Sequence, residues 1–131
     1  MTMQEKKYFT VEEANEYIPE LTGQVKALIQ LRNMLGNLRA ELDAFFEAIP
    51  SNGGDKNAFS HLQVGVELKR LLDRIEASGC LIKGLDPPLV DFPHMRDGRE
   101  VYLCWRYGEK EIEYWHEIDS GYDGRQPLDK L

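Results

Sequence analysis

The chain has 131 residues, enough for one domain that buries roughly 65–70% of the surface its unfolded chain exposes. Sixteen Lys and Arg stand against 23 Asp and Glu, a formal charge of −7. With no basic stripe, that balance speaks against nucleic acid, which is held by counterion release, and against an anionic membrane surface.

No uninterrupted apolar run approaches the ~18–20 residues of a membrane span, and the opening "MTMQEKKYFT" lacks the apolar core of a signal peptide. Cys80 and Cys104 are too few for a disulfide scaffold. They read as reduced thiols, and the protein as cytoplasmic.

The first element opens at Thr10. Glu13 stands three places later, which makes a capping box, and Phe9 is placed to staple onto Ala14. Apolar residues recur at 11, 14, 18, 21, 25, 28, 31, 35, 38, 42, 45 and 49. The mean step near 3.5 is that of a coiled-coil-like seam. Pro19 predicts a kink or a short leading helix, followed by a long helix to about Ile49. "PSNGGDKN" is a polar loop without phosphate-loop spacing. A second helix is expected from about Ala58 to Ser78, with Gly79 as its stop. Gly65 inside it predicts a close approach to the first helix.

The helices differ in length, roughly 45 Å beyond Pro19 against roughly 32 Å at 1.5 Å per residue. Leu38, Leu42, Phe45 and Phe46 on the excess are therefore expected to meet a second copy or the sheet. A homodimer is the predicted assembly.

From Cys80 the period falls to two. Strands are expected at Cys80–Lys83, Leu89–Phe92, Val101–Tyr107 and Glu111–Ile118. Their short links, including Asp97-Gly98, predict an antiparallel meander. The last thirteen residues read as an irregular tail. The fold class is α+β: a long antiparallel helical hairpin (10–78) on a four-stranded antiparallel β-meander (80–118), then the tail (119–131), all in one domain.

Alternation sorts the strands into two faces. Val90, Phe92, Val101, Leu103, Trp105, Ile112, Tyr114, His116 and Ile118 form the expected core face. Asp91, Tyr102, Cys104, Arg106, Glu113, Trp115 and Glu117 form the other. That second face is too aromatic for bare solvent and too charged for a plain core. The tail, a second subunit or a ligand is expected over it. A one-residue bulge would swap the assignments beyond it.

"YFTVEEANEYIPEL" together with "GCLIKGLDPPLVDFPHMRDGREVYLCWRYGEKEIEYWHEIDSGYDGRQPL" resembles the small prokaryotic family catalogued as domain of unknown function 2203. The resemblance covers nearly the whole chain. It implies a soluble bacterial or archaeal protein and brings no activity with it.

Three chemistries compete for the second face. Arg106, Arg125 and Arg99 offer planar forks for a carboxylate or phosphate, with Trp115 or Tyr102 as a stacking wall. The structural counterpart is an ion pair of Arg106 with Asp91 or Glu117. Asp91, Glu117, Asp119 and His116 are candidate ligands for a divalent metal, although His116 and Glu117 point to opposite faces of a strand. Cys104 with His116 as base is the third, set back by the same sorting, which leaves Cys104 as an inert thiol.

The resulting expectation is a small cytosolic binding or interaction protein. Asp91, Tyr102, Arg106, Trp115, Glu117 and Arg125 would take a small anionic ligand or a partner protein. The alternative is a metal-assisted hydrolase using His116 with Glu117 and Asp119.

Overall fold

A computed structural model describes residues 6–48 and 56–131. Two helices, α1 (Val11–Ala48) and α2 (Lys56–Ala77), precede β1 (Leu81–Leu85), β2 (Pro88–Arg96), β3 (Arg99–Arg106), β4 (Tyr114–Glu117) and β5 (Gln126–Pro127). The five strands form one sheet in chain order, each antiparallel to its neighbour. The fold is α+β, with the tail supplying a fifth strand that its composition does not announce.

The helix signals act as the sequence predicts. Glu13 donates its backbone N–H to Thr10 Oγ1 at 3.0 Å, and Thr10 donates its own to Glu13 Oε1 at 2.9 Å. Two of the amides that a helix start leaves unpaired are thereby satisfied. Gly79, at φ 109°, ends α2 in a conformation that a side chain disfavours. Pro19 does not divide α1, which runs as one helix of 38 residues. Among the described residues, a Cβ added at Gly65 meets nothing within 4 Å.

One buried cluster joins the layers. Ala14, Ile18, Leu21, Val25 and Leu28 of α1 and Ile75 of α2 meet Val90, Phe92, Val101, Leu103, Trp105 and Trp115 of the sheet. Arg32 of α1 donates to the Leu85 carbonyl at 2.8 Å, tying the hairpin to β1. Leu62 and Val66 of α2 are exposed despite their apolar side chains. The seam side chains Leu38, Leu42, Phe45 and Phe46 lie outside the described residues.

The Asp97-Gly98 turn has φ 48° and 82°, the left-handed pair that suits a two-residue hairpin. It sets Arg96 opposite Arg99 and, five pairs along, Asp91 opposite Cys104. The β3–β4 link is longer, from Tyr107 to Glu113. Ile112 is buried within it, and its N–H donates to Asn15 Oδ1 at 2.6 Å. The chain changes phase before β4 begins at Tyr114. Leu103 consequently stands opposite Trp115, and Tyr102 opposite His116.

That phase change corrects the sorting of faces. Trp115 is a core residue, 1% exposed, and His116 joins Asp91, Tyr102 and Cys104 on the second face. Ile118, assigned to the core face by the same alternation, moves with His116 and is 53% exposed.

Candidate functional site

Three strands bring Asp91, Cys104 and His116 together, each at most 3% exposed. The His116 Nε2 lies 3.1 Å from both Asp91 carboxylate oxygens, and Nδ1 lies 2.7 Å from the Glu117 carbonyl. A carbonyl only accepts, so Nδ1 carries a proton, and Nε2 donates to the carboxylate. Burial alone would push the imidazole down. Hydrogen bonds to Asp91 and Cys104, then the Glu117 carbonyl and the Asp91 charge, raise it from 6.5 to about 10. His116 is therefore an imidazolium at neutral pH, paired with a buried carboxylate.

This pair floors a cavity of about 110 Å³. Cys104, Tyr102 and Leu89 line it as well, as do Gly121 and Tyr122 of the tail. Lys83 of β1 also lines the cavity and remains exposed. Leu81 stands opposite Asp91, so Lys83, two residues on and at the point where the β1–β2 register shifts, lies on the Asp91 face by alternation. Lys83 Nζ sits 4.7 Å from the Tyr102 ring centroid, over its face.

The tail is fixed across the second face by Arg125. Its guanidinium donates to both Glu109 carboxylate oxygens, at 2.8 and 2.9 Å, and to the Cys104 carbonyl at 3.2 Å. It also lies over the Tyr114 and Tyr122 rings. Leu128 donates its N–H to the Glu113 carbonyl, and Leu128 and Leu131 pack on the core cluster.

The structure separates other residues that the sequence grouped. Arg106 is exposed, and Asp91 is paired with His116 rather than with it. Glu117 pairs with Arg99 at 2.6 Å on the opposite face from His116. That guanidinium holds the Glu117 carboxyl below its usual range. Asp119 is exposed in the turn after β4. Neither carboxylate joins His116, so the grouping His116, Glu117, Asp119 is replaced by Asp91, Cys104, His116. Trp115 stacks under Arg96 with 4.7 Å between guanidinium and ring centroid, and is no wall for a ligand.

Cys104 and His116, set apart by alternation, are on one face. The ligand-capable atoms of Asp91, Cys104 and His116 all lie within 4.8 Å of one another. Lys83 and Glu109 escape a reading of the sequence alone. The Asp97-Gly98 register is a usable signal for the Asp91–Cys104 pairing, whereas nothing in the strand alternation signals a bulge at Lys83.

The family model described as "Uncharacterized conserved protein (DUF2203)" matches residues 7–128. The chain belongs to that family. No curated protein and no solved structure matches it.

Proposed function

We propose that this family member is a small-ligand-binding protein whose site is the cavity above Asp91, Cys104 and His116, and whose ligand is a small anion. The observation that carries the reading is the cationic lining. The Asp91–His116 pair is neutral as a whole, so Lys83, an exposed residue that also lines the cavity, leaves the lining with net positive charge. A volume of about 110 Å³ holds a few waters' worth of ligand. That size fits a simple carboxylate or inorganic oxyanion and is too small for a nucleotide. Tyr102 and Tyr122 also line the cavity, the latter from the tail that Arg125 anchors.

The test uses reduced protein kept in chelator and titrated with acetate, carbonate and inorganic phosphate, followed by amide and imidazole NMR shifts. Saturable shifts should cluster at Lys83, Tyr102, His116 and Tyr122 for at least one anion. Lys83→Ala should weaken that anion at least tenfold. Shifts indifferent to Lys83, or no saturation by any of the three, would remove the reading.

The same proposal places the protein in the cytoplasm, supported by two free and buried thiols, and makes it a homodimer. Support for the dimer is the length of α1, about 57 Å against about 33 Å for α2. Met34, Leu62 and Val66 also leave apolar surface exposed on the hairpin.

A further inference from the structure

We infer that Asp91, Cys104 and His116 form the protein part of a metal site for a divalent ion of the zinc class, with a fourth position open to the cavity. The inference shares the cavity of the proposed binding function and does not depend on which anion enters it.

The donor set comes first. One carboxylate oxygen, one sulfur and one imidazole nitrogen suit a borderline ion. A sulfur ligand disfavours magnesium and calcium, which take oxygen. The geometry comes second. Zinc–ligand distances of about 2.0–2.3 Å place the oxygen, nitrogen and sulfur of such a tetrahedron about 3.3 to 3.6 Å apart. His116 Nε2 and the Asp91 oxygens already stand at 3.1 Å, and the whole set falls within 4.8 Å. Closing the remaining gap takes a small adjustment of short side chains.

The surroundings supply an independent argument. A histidine that ligates through Nε2 is commonly oriented by a hydrogen bond from its other nitrogen to a carbonyl or carboxylate. His116 has that bond, from Nδ1–H to the Glu117 carbonyl at 2.7 Å. Metal binding displaces the Nε2 proton that Asp91 accepts, and the Cys104 thiol proton, to solvent, so that a neutral imidazole and a thiolate become the ligands. The Cys104 strand position is held in turn by Arg125, which binds its carbonyl. Cys80 makes the contrast. Its sulfur lies in contact range of the Ser78 hydroxyl and the Ile75 carbonyl, and burial pushes its thiol up. It has the surroundings of a structural thiol.

Three protein ligands from three adjacent strands leave one coordination position, on the side of the cavity that they line together with Lys83 and Tyr122. Closed structural zinc sites use four protein ligands, whereas sites with a vacant position take water or a small ligand there. When bound, the ion supplies a Lewis acid at that position.

The experiment uses full-length protein, reduced and stripped with chelator, in a non-coordinating buffer with no added anion. Cobalt(II) is titrated while absorption is recorded. The expected result is a thiolate-to-cobalt charge-transfer band in the near ultraviolet and visible bands of tetrahedral intensity. Both should saturate at one equivalent and be abolished by zinc. Cys104→Ser should abolish the near-ultraviolet band and Cys80→Ser should keep it, each with helix content verified by circular dichroism. Should Cys104→Ser fail to fold, alkylation of the unmodified protein decides: zinc should slow labelling of Cys104 at least tenfold and leave Cys80 unchanged. No saturating band at one equivalent, a band that survives Cys104→Ser, or labelling of Cys104 indifferent to zinc overturns the inference. The anion titration is run in chelator, so each reading can fail without the other.

Discussion

Removing the Asp91 carboxylate is the most direct perturbation of the site. In metal-free protein it leaves His116, 2% exposed, without the partner that keeps it charged. The rise from 6.5 to about 10 corresponds to about 5 kcal/mol of preference for the imidazolium. Breaking a buried pair by deleting one partner typically costs about 3–5 kcal/mol, so Asp91→Ala should fall in that range at pH 7. For a domain of this length that is a drop of roughly 10–20 °C in melting temperature.

The pH dependence separates charge from packing. The folded-state value of His116 lies above the ordinary one, so the pair's contribution is complete below about pH 6.5. It is lost as pH rises through about 10. Wild-type stability, measured by urea denaturation in chelator from pH 6 to 10.5, should decline over that window. Asp91→Ala should lack most of the decline. Asp91→Asn, which preserves shape and can still hydrogen bond, should recover part of the stability and none of the slope. If Asp91→Ala loses less than about 1 kcal/mol and keeps the wild-type slope, Asp91 and His116 are not a carboxylate–imidazolium pair at neutral pH.

Arg125 and Glu109 are 12% and 16% exposed, so Arg125→Ala should cost about 1–3 kcal/mol by leaving a mostly buried carboxylate without its guanidinium, although Oε1 keeps the Arg106 N–H. Thermal melts should show a wild-type value for the control Arg106→Ala, whose side chain is exposed. Deleting residues 120–131 removes β5 together with Leu128 and Leu131, which pack on the cluster containing Trp115. The truncated protein should melt earlier and its tryptophan emission should move to the red. Unchanged melting and emission would mean the tail covers nothing. For the dimer, Leu62→Glu with Val66→Glu should yield a monomer by light scattering, and an unmodified protein already monomeric at high micromolar concentration would end that proposal.

Local physics makes much of the fold legible in the sequence. The Thr10–Glu13 box, a 3.5-residue apolar step, Gly79 as a stop and the Asp97-Gly98 turn each act over a few residues. They place both helices and the β2–β3 hairpin without reference to the rest of the chain. Because a two-residue turn fixes register, the Asp91–Cys104 pairing is also within reach.

The site depends on contacts of longer range. Which face His116 joins follows from the phase of β4, and that phase is set in the seven residues of the Tyr107–Glu113 link. There Ile112 is drawn into the core and bonds to Asn15 of α1, 97 positions away. Alternation within a strand contains no trace of such a contact, and a slip of one residue exchanges Trp115 for His116. Likewise the partner of Asp91 follows from cross-strand geometry: a charge count offers Arg106, while the fold puts a histidine 3.1 Å away and leaves the arginine in solvent. Near neighbours in the chain are enough to assign residues to helices and strands, since capping, periodicity and turn chemistry act over a few positions. The shared buried floor of Asp91, Cys104 and His116 arises only in the assembled fold, where separate segments are brought into register against a common core.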